Sequence, residues 1–167
     1  MNFGEVFNMK KRFLFPMLLL ASLFLCSCDG NFGVQEIFGT YLIIKNPNNS
    51  KIMVQCKSEK LKIPSLSTCS EVTDEEIFQW VKDEKLVNDD ETFNVFRIPL
   101  GGSVFNDTRN VNIYFQVEVE NEIYTEELNI NELQANMPCL TKESVLLENS
   151  NGDILDSVFT YCLHTSI

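Results

Sequence analysis

Val111-Asn112-Ile113-Tyr114-Phe115-Gln116-Val117-Glu118-Val119-Glu120 alternates without a break, with Val111, Ile113, Phe115, Val117 and Val119 on one side and the polar partners on the other. Successive side chains of an extended chain point to opposite faces, so the stretch predicts a strand with one face on a core and one in water, as in a half-buried antiparallel sheet. Asn121-Glu122 turns the chain and Ile123-Tyr124-Thr125-Glu126-Glu127-Leu128 returns beside it. The acids on this hairpin suit a solvated face that discourages edge-to-edge pairing.

Outward from that hairpin the same period recurs. Thr40 to Lys45 predicts a strand, Asn46-Pro47-Asn48-Asn49-Ser50 a turn, and Lys51 to Lys57 its hairpin partner, with Ile52, Val54 and Cys56 on one face. A short strand, Leu61-Lys62-Ile63, is expected to stop at Pro64, and Ser67 to Val72 to pair back. Thr92 to Ile98 predicts another strand, closed by Pro99 and Gly101-Gly102, after which Ser103-Val104-Phe105 leads into the turn Asn106 to Arg109. Asn131 to Asn136 is expected to form a helical turn. Ser144 to Glu148 and Ile154 to Leu163 predict a final hairpin around Asn149-Ser150-Asn151-Gly152-Asp153.

One helix interrupts the strands. Thr73-Asp74-Glu75-Glu76 has the form of a capping box, with Thr73 as the cap and acids at the positive helix end, and Ile77, Trp80 and Val81 follow at helical spacing. A short amphipathic helix over residues 74–85 is expected to pack on the sheet. Trp80, the sole tryptophan, is expected to anchor the core, with a ligand-binding aromatic as the alternative. Eight or nine short strands with one helix imply a mainly β fold: an antiparallel β-sandwich, immunoglobulin-like in a loose sense, with an open barrel as the alternative.

The chain has 167 residues and a formal net charge of −11. That balance argues against nucleic acid, whose phosphates are bound through clustered Lys and Arg; Lys57, Lys60 and Lys62 are the nearest approach to such a cluster. Catalytic signatures are sparse. The single histidine is His164, no Gly-x-Ser-x-Gly elbow is present, and the phosphate-binding and dinucleotide glycine patterns are missing. Asp89, Asp90, Glu126 and Glu127 are paired carboxylates of the kind an acidic chain produces in any case. The chain is therefore expected not to be an enzyme and to need no cofactor. Two acidic loops, Val87 to Glu91 and Asn149 to Asp153, offer oxygen ligands for calcium, although neither has the spacing of a recognised calcium loop. Asn48-Asn49-Ser50 and Asn106-Asp107-Thr108 are formal glycosylation sequons, best taken as chance matches on turns.

The N-terminus carries an address. Lys10-Lys11-Arg12 precedes the apolar run Phe13 to Leu25, which ends at Cys26-Ser27-Cys28-Asp29. The run is interrupted by Pro16 and is shorter than the roughly 20 residues a spanning helix needs, whereas it suits the core of an export signal. It resembles the signal peptide of bacterial lipoproteins, in which a leucine three residues before an invariant cysteine is read by a lipid-transferring enzyme and a dedicated peptidase. Cys28, with Leu25 three before it and the small Ser27 just before it, fits better than Cys26, which has Leu25 immediately before it. Met9 begins a more typical signal than Met1 does.

The resemblance implies residues 1–27 as a signal peptide, residues 28–39 as a tether and residues 40–167 as a single domain. Processing at Cys28 would leave 10 basic and 23 acidic residues, a formal charge of −13, which opposes adsorption to anionic lipid. Attachment would then rest on acyl chains, such as palmitate, at about 0.8 kcal/mol per buried methylene. The expected protein is a non-catalytic envelope lipoprotein with an unidentified protein or other envelope partner, the alternative being a calcium- or small-ligand-binding periplasmic lipoprotein. Asp29 resembles an inner-membrane retention signal in some bacteria, so inner versus outer membrane stays open.

In an oxidising compartment the even set Cys56, Cys69, Cys139 and Cys162 raises the expectation of two disulfides. Of three possible connectivities, Cys56 with Cys69 and Cys139 with Cys162 close the shorter loops. The gaps between these cysteines do not suit a structural zinc site, and free buried thiols are the third reading.

Overall fold

The computed structural model describes residues 39–99, 109–132 and 141–162. The segment expected to be a signal peptide, Cys26, Cys28, the expected tether up to Phe38, the Asn106 sequon, Cys139 and His164 lie outside the described residues, as does the side chain of Cys162. The chain divides into two compact units, Met1–Gln35 and Glu36–Ile167, and the described residues all belong to the second.

The described residues of that unit form nine strands and one helix: β1 (Gly39–Lys45), β2 (Ile52–Ser58), β3 (Ile63–Thr68), β4 (Ser70–Val72), α1 (Glu75–Asp83), β5 (Phe93–Arg97), β6 (Arg109–Val119), β7 (Glu122–Glu132), β8 (Thr141–Asn149) and β9 (Ile154–Cys162). All pairings are antiparallel, and the strands form a single sheet in the order β3-β2-β6-β7-β8-β9-β1-β5-β4. The expected sandwich of two separate sheets, and with it the immunoglobulin-like label, gives way to one nearly closed, barrel-like sheet, the alternative that the strand count also allowed.

Two observations establish the curl. The strands at the two ends of the sheet order, β3 and β4, are separated in sequence by Cys69 alone, so the two edges of the sheet meet at that residue. Phe115 on β6 and Phe159 on β9 are three strand spacings apart along the sheet, roughly 14 Å if it were flat, yet their ring centroids lie 6.1 Å apart. The enclosed core therefore draws from nearly the whole circumference: Leu42 and Ile44, Val54 and Cys56, Ile113 and Phe115, Leu147, Phe159 and Phe96 are all buried in it. Among the described residues, β7 and β8 share the register pairs Tyr124–Asn149 and Thr125–Glu148.

The strict alternation of residues 111–119 appears as β6, and the β6–β7 turn places Glu120 and Asn121 at φ of 51° and 73°. Two consecutive positive φ values match the right-handed twist of the flanking strands. Gly152, at φ 84° in the β8–β9 turn, supplies the same left-handed geometry without a Cβ penalty. β1 behaves differently. Thr40 to Ile44 is buried on both faces, because Leu42 and Ile44 face the enclosed core while Tyr41 and Ile43 lie beneath α1 in a second cluster with Val81, Leu86, Val95 and Val158.

Four local expectations are corrected. β1 and β2 do not pair. The Asn46 carboxamide accepts from the Ser50 backbone N–H (3.0 Å) and donates to the Ser50 carbonyl (2.9 Å) and to Asn94 Oδ1 (2.6 Å), which clips the connection as an arch that sends β2 to the other side of the core. Pro64 does not end a strand; it lies inside β3, an edge strand where a missing N–H is tolerated. The helix cap is Asp74, whose carboxylate accepts from the Glu76 N–H at 3.0 Å, so α1 runs over Glu75–Asp83 with Thr73 outside it. Asn131 is extended within β7, not part of a helical turn. The helix ends as a Schellman motif: Lys85 at φ 52° donates to the Lys82 carbonyl, Leu86 donates to that of Val81, and Leu86 and Val81 are both buried.

Candidate binding surface

Among the described residues, a structured polar surface lies on the outer face of β2 and β6, under the β2–β3 turn. Register places Lys57, Tyr114 and Glu127 side by side across β2, β6 and β7. The Lys57 ammonium sits 4.7 Å from the centroid of the Tyr114 ring, a cation–π contact worth about 0.5–1 kcal/mol at an exposed site. One row further along, Asn129 donates to Asn112 across the β6–β7 pair. The turn rises as a wall because the Ser58 hydroxyl donates to the Asn112 carbonyl at 2.5 Å, while Lys62 turns the chain at φ 58°.

The result is an open groove of about 440 Å³ lined chiefly by Lys57, Lys60, Pro64, Asn112, Tyr114 and Glu127. Two of the three lysines that come nearest to a cluster in the sequence meet here, beside Asn and Glu side chains that sequence spacing did not connect to them. Cations, carboxylates and carboxamides around one aromatic ring suit a polar ligand that both donates and accepts hydrogen bonds. Ser58 is not a free nucleophile, since its hydroxyl is engaged by the backbone.

A second, more open groove of about 700 Å³ runs between α1 and β4–β5. Its floor is the stacked pair Phe78–Phe93, with ring centroids 5.2 Å apart, and Asn94 donates to Glu71 at its side (2.6 Å). Trp80 is half-buried on the other side of α1, packed against Tyr41 at 5.8 Å. It thus anchors the helix to the outer face of the sheet and is not part of the enclosed core.

Several side chains of the two acidic loops bond within their own turns. Glu91 accepts from the Asn88 N–H at 2.8 Å and pairs with Lys45 at 3.1 Å, and Lys45 also pairs with Asp156 at 2.8 Å. The Asn88 backbone bond and Lys45 hold the Glu91 carboxyl below the usual range, while the Asp156 and Glu91 carboxylates raise the Lys45 ammonium. In the other loop, Asn149 Oδ1 accepts from the N–H groups of Asn151 and Asp153, and its amide donates to the Asp153 carboxylate. Among the described residues no group of three or more His, Cys, Asp or Glu side chains is placed to hold a metal ion. Asp89, Asp90, Glu126 and Glu127 are not gathered into a carboxylate site either: the first two lie in the loop before β5, and Glu126 and Glu127 project from opposite faces of β7.

The cysteines divide. Cys56 and Cys69 meet in the enclosed core with their Sγ atoms 3.4 Å apart, close but unbonded. No bond joins them at that distance, so where a disulfide was expected the structure holds two thiols in contact. Cys69 donates to Cys56; this bond and burial push the Cys69 thiol up, while accepting the bond lowers that of Cys56.

No helix among the described residues is long and apolar enough to cross a membrane. Comparison with protein-family models, curated proteins and solved structures gives no match.

Proposed function

We propose that the protein is a bacterial envelope lipoprotein, acylated at Cys28, that presents the β-rich unit as a non-catalytic binding module. The observation that carries this reading is the ordered run of Lys10-Lys11-Arg12, the apolar segment Phe13 to Leu25 and the cysteine preceded by Leu25-Cys26-Ser27. A formal charge of −11 for the whole chain, rising to −13 after processing, keeps a soluble domain off anionic lipid unless a covalent anchor holds it. The groove beside Tyr114 is the surface best equipped to receive an envelope partner. For the calcium alternative, Glu91, Asn149 and Asp153 already make hydrogen bonds within their own loops, which compete with metal ligation.

Intact mass of the membrane-extracted protein, beside a Cys28→Ala variant, tests the reading. The expected result is a chain beginning at Cys28 and carrying acyl groups, with acylation and membrane retention both lost in the variant. A chain that keeps its N-terminal segment, or is cleaved without acylation, refutes it.

A further inference from the structure

Cys56 and Cys69 occupy a mechanically special place in the sheet. Cys69 is the one residue between β3 and β4, the strands that end the sheet order on its two sides. Its N–H donates to the Val54 carbonyl at 2.9 Å, which continues the β2–β3 pairing and sets its side chain on the same inner face as Cys56. The ladder slips in register between Cys56 and Ser58, and the two Sγ atoms stand 3.4 Å apart. Both residues are nearly inaccessible, at 0% and 3% exposure. Two thiols in contact across strands, at the one point where the sheet's edges join, are more than filler: small apolar residues would pack there without reactive sulfur.

We infer that Cys56 and Cys69 form a redox-controlled clamp, oxidised to a disulfide that locks the seam of the sheet. The Sγ atoms have to approach by roughly 1.4 Å to reach bonding distance, a displacement that side-chain rotation and slight movement of edge strand β3 can supply. The oxidant is a disulfide of the glutathione or thiol-oxidase class. The Cys56 thiolate attacks one of its sulfurs and expels a thiolate, and Cys69, losing its proton, attacks Cys56 Sγ and expels the second. Two electrons pass to the oxidant, which leaves as two thiols, and one S–S bond forms in the protein. Burial places this exchange during folding or during opening of the exposed strand β3. The reduced pair, as seen here, leaves the seam held by hydrogen bonds and packing. The oxidised pair closes a short loop in the unfolded chain and raises the folded-to-unfolded ratio by roughly a hundredfold.

The clamp is read on full-length protein in detergent, equilibrated with defined mixtures of oxidised and reduced glutathione, then acid-quenched, alkylated in denaturant and mapped by mass spectrometry. A linked peptide pair containing Cys56 and Cys69, together with a higher urea midpoint for the oxidised than for the reduced protein, is expected. The Cys56→Ala/Cys69→Ala variant is expected to lose that redox dependence. Wild-type protein in the two redox states gives the same comparison should the variant not fold. Both thiols remaining free under oxidising conditions, pairing with Cys139 or Cys162 instead, or an oxidised form no more stable than the reduced one, each overturns the clamp. Acylation is read separately on the Cys28 peptide, so loss of the lipoprotein reading and loss of the clamp are distinguishable.

Discussion

Phe115 and Phe159 offer the most direct test of the curled sheet. Both are fully buried, and their rings meet at 6.1 Å with an interplanar angle of 51°, a tilted arrangement worth about 0.5–1.5 kcal/mol beyond its area burial. The perturbation is a double-mutant cycle with Phe115→Leu and Phe159→Leu, near-conservative in volume so that each single change costs about 1–1.5 kcal/mol. If β6 and β9 face each other across an enclosed core, the pair couples and the double variant is less destabilised than the sum by about 1 kcal/mol. In a flat sheet the same residues would be roughly 14 Å apart, beyond the 7–10 Å at which substitutions become additive. Urea unfolding of the four proteins, with midpoints and slopes fitted together, gives the coupling directly. A coupling below about 0.3 kcal/mol would refute the reasoning that these strands meet across the core.

Asn46→Ala removes the clip that turns β1 away from β2. Asn46 is 4% exposed and its side chain makes bonds to Ser50 and Asn94, so a loss of about 1–3 kcal/mol in unfolding free energy is expected, and a change under 0.5 kcal/mol by urea titration would show that the arch does not depend on it. The Lys45–Glu91–Asp156 cluster predicts a pH dependence with two edges. Glu91 is held below its usual value, so its contribution is full above about pH 4.3 and falls away as pH drops through the lower folded value. Lys45 is raised from 10.5, so its contribution is full below that pH and is lost as pH climbs through the higher folded value. The difference in urea midpoint between wild type and Lys45→Met should therefore be flat between about pH 5 and 10, and shrink at both extremes and in high salt; a difference that stays constant across the whole range would show that the cluster is not coupled to folding.

The positions where sequence and structure part share one cause. Periodicity identified the strands because burial on one face of an extended chain leaves an alternating trace, as in Val111 to Val119. It also marked Thr40 to Lys45 as a strand, without revealing that α1 covers the second face of β1. It set the cap at Thr73 where the structure has Asp74, since both side chains can accept a helix N–H. The Asn-Pro-Asn-Asn-Ser segment between β1 and β2 has hairpin composition; that Asn46 turns it into an arch depends on Asn94, a residue far along the chain. Pro64 suggested a strand end because proline breaks a ladder, but a ladder has a free side only at a sheet edge, and edge position is a tertiary fact.

The groove was even less legible. Lys57, Tyr114 and Glu127 share a row only because β2 pairs with β6 and β6 with β7 in one particular register, and nothing local in any of the three strands announces the others.

By itself the sequence determined the β-rich class, the helix after Asp74 and the acidic charge, because each rests on composition or on a short-range period. Tertiary structure alone decided that the strands make one curled sheet, that Cys56 and Cys69 touch at its seam, and that a basic turn and an aromatic strand frame a groove. Strand order follows from which apolar faces can be buried together across long stretches of chain, and that balance of packing against chain entropy is global, so no window of residues contains it.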